Sequence, residues 1–182
     1  MMCLGTYRRL IPLAAAGFAA GCVLLPSLRA DAEGATSTGY VLDSNEGEHL
    51  VQRGGNIFIK IEPAKGSSGV AMGTQQILAG VGIPPHRHVD MDEAFYVVEG
   101  AGTVVLDDVP HPIHKGDSIF IPKNTWHRFQ NPDTELVLLW IAAPPALAAF
   151  FREFAGHPGA PPVQRTKEQM NEVAQKYGTK FK

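Results

Sequence analysis

Three histidines and one glutamate stand at spacings that a metal site would impose. His86-Arg87-His88 places two imidazoles two residues apart. On a strand that spacing puts both rings on one face, where their nitrogens can converge on a single ion. Glu93 follows five residues after His88, and His127 begins another apolar stretch shortly after Pro122. Antiparallel pairing in a small barrel would bring His127 beside the first pair. Three neutral imidazoles and one carboxylate form a borderline nitrogen and oxygen donor set. Such a set suits divalent Fe, Mn, Ni, Cu or Zn and leaves positions open for water or substrate. A bare His-x-His is weak evidence, because solvated loops carry it as well.

The remaining titratable residues have plainer readings. Asp90 and Asp92 lie in the turn beside the candidate ligands; Asp92 adjoins Glu93 and offers an alternative carboxylate, while solvated or outer-layer roles suit both. His111 and His114 flank Pro112 in what reads as an exposed turn before Gly116, and Asp117 should close that turn through backbone hydrogen bonds. His49 and His157 read as surface residues. Met91, Phe95, Tyr96, Trp126 and Phe129 can line a pocket, but their period-two neighbours make core packing an equal reading.

Residues of this kind need a rigid frame, and the apolar pattern supplies one. From residue 49 the chain alternates with period two in short runs, each bounded by Gly, Pro, Asn or Asp. Asn56 to Glu62 sets three isoleucines on one face, as a half-buried strand requires. Further runs follow at Thr74 to Leu78, Ala94 to Glu99, Thr103 to Asp107, Ser118 to Ile121, His127 to Gln130 and Leu136 to Ala142. Seven or more short strands at this spacing predict an all-β sandwich or barrel across 49–143. Pro144-Pro145 stops the last run. Ala146 to Ala155 then reads as a short apolar helix whose Phe150, Phe151 and Phe154 pack in a core or interface. Thr166 to Gln169 is a capping box that opens a second helix before Gly178, so 144–182 reads as a helical extension covering part of the barrel.

The first thirty residues have another character. Arg8-Arg9 precedes an apolar run from Leu10 to Leu25, and small residues surround Ala30-Asp31-Ala32. This is the pattern of a cleaved secretory signal over 1–30, with 31–48 as an extended arm; a retained membrane anchor is the alternative. Arg8-Arg9 also fits a twin-arginine route. Ala19-Ala20-Gly21-Cys22 approaches a lipoprotein box, with Ala19 where Leu is usual. The expected location is periplasmic or secreted, with no membrane span in the mature chain. Both cysteines, Cys3 and Cys22, would leave with the signal, so a metal must be held by His, carboxylate or water.

Composition sets the outer limits. The 182 residues are 45% hydrophobic and 19% charged, with 16 basic and 18 acidic side chains. Losing 1–30 removes Arg8, Arg9 and Arg29 and no acid, leaving thirteen basic residues against eighteen acidic and a formal charge of −5. Such a balance gives no cationic excess for a phosphate backbone, which argues against a nucleic-acid partner.

Glycines and a proline around the histidines carry a resemblance. Gly80, five residues, His86-x-His88, four residues, Glu93, six residues and Gly100 are similar to the first signature motif of the cupin superfamily. Gly116, five residues, Pro122-x-Asn124, two residues, His127, three residues and Asn131 are similar to the second. One position departs from it: Asn124 stands where the family usually has Gly, and Asn is a residue that tolerates a left-handed backbone. The chain thus resembles a small single-domain cupin of the quercetin dioxygenase-like type. The resemblance implies a jelly-roll barrel with one or two short C-terminal helices. It also implies a metal held by His86, His88, Glu93 and His127, and a homodimer. On this analogy the metal is Fe(II) first, with Mn, Ni, Cu or Zn as alternatives. Glu93 would both ligate the ion and take a proton from a phenolic or enolic hydroxyl, O2 being the second substrate. Fold analogy leaves two other roles open: a non-redox lyase, decarboxylase or isomerase, and a non-catalytic periplasmic binding module.

Overall fold

A computed structural model describes residues 38–131 and 133–182, so the expected signal over 1–30 and the first part of the arm, 31–37, lie outside the described residues.

Among the described residues, eleven strands form two antiparallel sheets. In chain order they are β1 (Glu48–Gln52), β2 (Gly55–Ile61), β3 (Ala71–Ile77), β4 (Gly82–His88), β5 (Asp92–Glu99), β6 (Ala101–Leu106), β7 (Val109–His114), β8 (Ser118–Ile121), β9 (His127–Gln130), β10 (Leu136–Ala143) and β11 (Thr179–Phe181). Two helices, α1 (Leu147–Phe154) and α2 (Lys167–Lys176), separate β10 from β11. One sheet runs β1-β2-β3-β10-β5-β8 and the other β11-β4-β9-β6-β7. The first places Glu93 and the second the three histidines. This is the barrel that the alternating pattern predicts.

Alternation explains which faces meet. Along β10, Leu136, Leu138, Trp140 and Ala142 point inward and are fully buried, while Val137, Leu139 and Ile141 between them are half-buried. Ile57 and Ile59 of β2 join the same core, as does Phe129 of β9. Ile61 departs from expectation: the pairing of β2 with β3 shifts register between Ile59 and Ile61, and the third isoleucine ends half-buried. The outer face of the six-stranded sheet carries the exposed side chains of Tyr96, Val98 and Phe120.

Three sequence readings need correction. Residues 109–114 form β7 rather than a turn. This is an edge strand, where Pro110 and Pro112 cost no ladder hydrogen bond if their nitrogens face outward. His111 and His114 are exposed, as read, and the Asp117 carboxylate accepts from the His114 amide at 2.7 Å, closing the turn. His49 is half-buried instead of a surface residue, stacked on Phe58 at 4.5 Å and hydrogen-bonded to Asn56. The chain also does not finish in a helix, because β11 returns to pair with β4.

Helix α1 lies against the barrel with Leu147, Ala148, Phe150, Phe151 and Phe154 buried, and Phe151 packs 5.4 Å from Trp140. Gly73, opposite Trp140 on β3, makes room for the indole, since a Cβ there would meet both the ring and the Phe58 carbonyl. Arg152 fastens the helix by donating to both oxygens of the buried Glu62 at 2.6 Å and to Glu48 at 2.7 Å. At α2 the capping box forms as read: Gln169 donates its amide to the Thr166 hydroxyl, and Thr166 donates to the Gln169 side chain.

Candidate metal centre

The pairing of β4 with β9 sets His86 directly opposite His127, and His88 lies on the same face of β4. Glu93 arrives from β5 in the other sheet, where it is paired with Ile121 and Ala142. The four side chains are buried, and one ligand atom from each lies within 4.8 Å of all the others. Glu93 Oε2 sits 3.2 Å from His88 Nε2 and 3.1 Å from His127 Nε2. Strand register thus brings together all four residues singled out by spacing. Asp92 turns elsewhere and accepts from the Lys123 amide at 2.8 Å, so it is not the carboxylate of this cluster.

Each imidazole is held from behind. His86 Nδ1 lies 2.9 Å from the Pro84 carbonyl and His127 Nδ1 3.0 Å from the Thr125 carbonyl. A carbonyl can only accept, so both rings carry a proton on Nδ1 and turn Nε2 toward the cluster. His88 Nδ1 meets the Thr179 hydroxyl at 2.9 Å.

Second-motif geometry follows the same economy. Asn124 adopts φ 67°, the left-handed conformation expected of it, and its amide donates to the His88 carbonyl at 2.7 Å. That bond ties the turn of one motif to a ligand strand of the other. Gly100 has φ 83°, and a Cβ there would collide with the Glu135 carbonyl, which explains glycine at the end of β5.

The electrostatics suit a cation. Burial, reinforced by His127 and His88, holds the His86 imidazole well below its ordinary value, which keeps its lone pair available. At Glu93 burial pushes upward, but the neighbouring His88 and His127 outweigh it and hold the carboxyl below the usual range. His88 Nε2, Glu93 Oε2 and His127 Nε2 are buried and find no hydrogen-bond partner outside the cluster itself. Ligand-type atoms that converge on one point in an apolar interior, satisfied by nothing beyond one another, are costly to bury. A divalent ion among them removes that cost, so these residues fit a metal.

The cluster opens on a cavity of about 50 Å³. Its walls include Ile77, Val81, Ile83, Phe95, Phe129 and Trp140, with the phenylalanines of α1 and Phe181 of β11 closing it. Gln52, Gln75 and Gln76 add polar groups. Phe95 and Phe129, read as either pocket or core, meet edge to face at 5.0 Å and do both. Met91 is core, Tyr96 faces outward, and Trp126 lies outside with the Arg87 guanidinium 4.9 Å from its ring. The helix phenylalanines pack in the core as expected, yet they also wall the cavity, a role the sequence reading missed. Thr179 was missed entirely.

Fold and donor set define the class: a double-sheet barrel with a buried three-histidine, one-carboxylate pocket. Residues 73–142 match the cupin domain family, and the chain belongs to it. It is 38% identical over 95 residues to Protein SchB of Streptomyces halstedii, covering 51% of this chain and 69% of that protein. Quercetin 2,3-dioxygenase of Bacillus subtilis is 27% identical over 114 residues, which are 62% of this chain and only 34% of the dioxygenase. Among solved structures, the polyketide cyclase RemF of Streptomyces resistomycificus superposes with a TM-score of 0.55 at 18% identity, over 74% of this chain and 92% of its own, a likeness of fold.

Proposed function

We propose that this cupin is a metal-dependent oxygenase acting on a small, uncharged or singly charged organic compound that bears a phenolic, enolic or diketone-like oxygen. The observation that carries the proposal is the cluster of buried ligand-type atoms, without partners beyond one another, at the end of a largely apolar cavity. Likeness over part of their length to quercetin 2,3-dioxygenase supports the reaction class. A divalent ion bound there, with Fe(II) first on the family resemblance and Mn, Ni, Cu or Zn as alternatives, would supply Lewis acidity and, where the metal is redox-active, redox chemistry toward O2.

The protein's own groups do the rest. His86, His88 and His127 would hold the ion, and Glu93, on the opposite sheet, would complete the set. The Glu93 carboxylate would also take the proton of an incoming hydroxyl. Phenylalanine and aliphatic walls exclude water from the reacting anion. The glutamines offer amide groups to a ligand oxygen. A cavity of about 50 Å³ has room for only a few waters, which selects compact compounds over large polycyclic ones unless α1 moves aside. Cleavage of the chain's first thirty residues as an export signal would put this chemistry in the periplasm or outside the cell. Amino-terminal sequencing of protein recovered from that compartment tests the export reading.

Anaerobic mixing of Fe(II)-loaded protein with single-ring phenols and β-diketones, followed by O2, tests the chemistry. Oxygen uptake tied to substrate loss is expected, and Glu93→Gln should abolish it. Substrate consumed without O2 would replace this reading with a non-redox lyase or decarboxylase. Binding without turnover in any atmosphere, unchanged in Glu93→Ala, would replace it with a binding module.

A further inference from the structure

We infer that Thr179, on the last strand and outside the segment that matches the family, is a positioning residue of the metal centre. The inference rests on the metal-binding reading above, and deepens it.

Strand β11 is short, but its placement is specific. It pairs with β4 so that Thr179 stands opposite His88 and Phe181 opposite His86. The Val89 amide donates to the Gly178 carbonyl at 2.7 Å and the Lys182 amide to the Pro85 carbonyl at 3.0 Å, so backbone bonds flank the pair on both sides. Thr179 is 1% exposed, and its hydroxyl lies 2.9 Å from His88 Nδ1 across 91 residues of sequence. Phe181 sits 5.9 Å from the His86 ring and lines the cavity.

Among the three histidines, His88 alone lacks a carbonyl behind it. Carbonyls fix the tautomers of His86 and His127, whereas a hydroxyl can donate or accept. By accepting the Nδ1 proton, Thr179 leaves the His88 Nε2 lone pair for the ion; without the hydroxyl, the proton is free to move to Nε2, toward Glu93. Partners of this kind set ring orientation and ligand basicity, and their loss lowers metal affinity about 10–100-fold.

Isothermal titration with Co²⁺, together with the visible absorption of the cobalt complex, tests this on the full chain and on Thr179→Val and Thr179→Ser. The valine variant keeps the shape and loses the hydroxyl, so its affinity should fall about 10–100-fold with an altered spectrum. The serine variant should stay near wild type. A role in packing alone predicts the reverse order and would overturn the inference, as would wild-type affinity in Thr179→Val. Should the valine variant not fold, imidazole ¹⁵N–¹H correlation spectra of the metal-free wild type decide: a proton on His88 Nδ1 supports the inference and a proton on Nε2 overturns it. Absence of cobalt binding by the wild type would instead bring down the metal reading itself.

Discussion

Glu93 joins the two sheets chemically, because its carboxylate crosses the barrel to reach nitrogens on β4 and β9. Replacing it with Gln keeps the volume and removes the charge, so the fold should survive. Titration calorimetry should then show divalent-ion affinity reduced by at least the roughly 10–100-fold typical of losing a supporting group. Asn124 offers a test free of ligand chemistry. At φ 67°, Asn124→Gly should change stability little, whereas Asn124→Val should cost about 1–2 kcal/mol, visible as a lower denaturation midpoint. Equal stabilities for the two variants would show that the left-handed turn is not what the residue contributes. The four clustered residues were legible in the sequence because their spacing on alternating strands sets His86 and His88 on one face and Glu93 and His127 on neighbouring runs. Between Asp92 and Glu93 the spacing to Gly100 favours Glu93, and the Lys123 amide agrees by claiming Asp92.

At the scale of elements, the alternating strands were the readable part. Their inward faces bury apolar side chains at every second position, and Gly or Pro marks most ends. Edges carry less signal: β7 alternates proline with histidine, and β11 has three residues, too few for any periodicity. The pairing of Thr179 with His88 spans 91 residues and leaves no local trace. Helix α1 was legible as a helix, but its function as a cavity wall depends on where Arg152 pins it. Cutting that pin with Arg152→Ala leaves the Glu62 carboxylate buried and unpaired. A loss of about 1–3 kcal/mol is expected in chemical denaturation, since a buried charged acceptor is stranded while Arg152 itself is partly solvated. An unchanged midpoint would mean that apolar packing alone holds the helix.

For the molecule as a whole, acidity and metal supply act on the same equilibrium. Folded His86 resists protonation that the unfolded chain accepts near pH 6.5, so the unfolded state binds more protons as pH falls below that value. Glu93 acts in the same direction below about pH 4.5, where unfolded carboxyls protonate first. The metal-free protein should therefore lose thermal stability on acidification, beginning below pH 6.5. A His86→Asn variant should lack this first phase, and a flat profile for the wild type would contradict the assignment. Adding a divalent ion at about a hundred times its Kd should contribute about 2.7 kcal/mol near neutral pH. That increment should shrink in acid, as protons compete for the imidazoles.

The short last strand has a kinetic corollary. A three-residue strand at a sheet edge belongs to the part of a fold that frays first, opening locally without global unfolding. If His88 is latched from that strand, each fraying event frees the ring to rotate. Extraction of the ion by a chelator should then keep pace with amide hydrogen exchange at residues 179–181, and run far faster than exchange in the centre of β10.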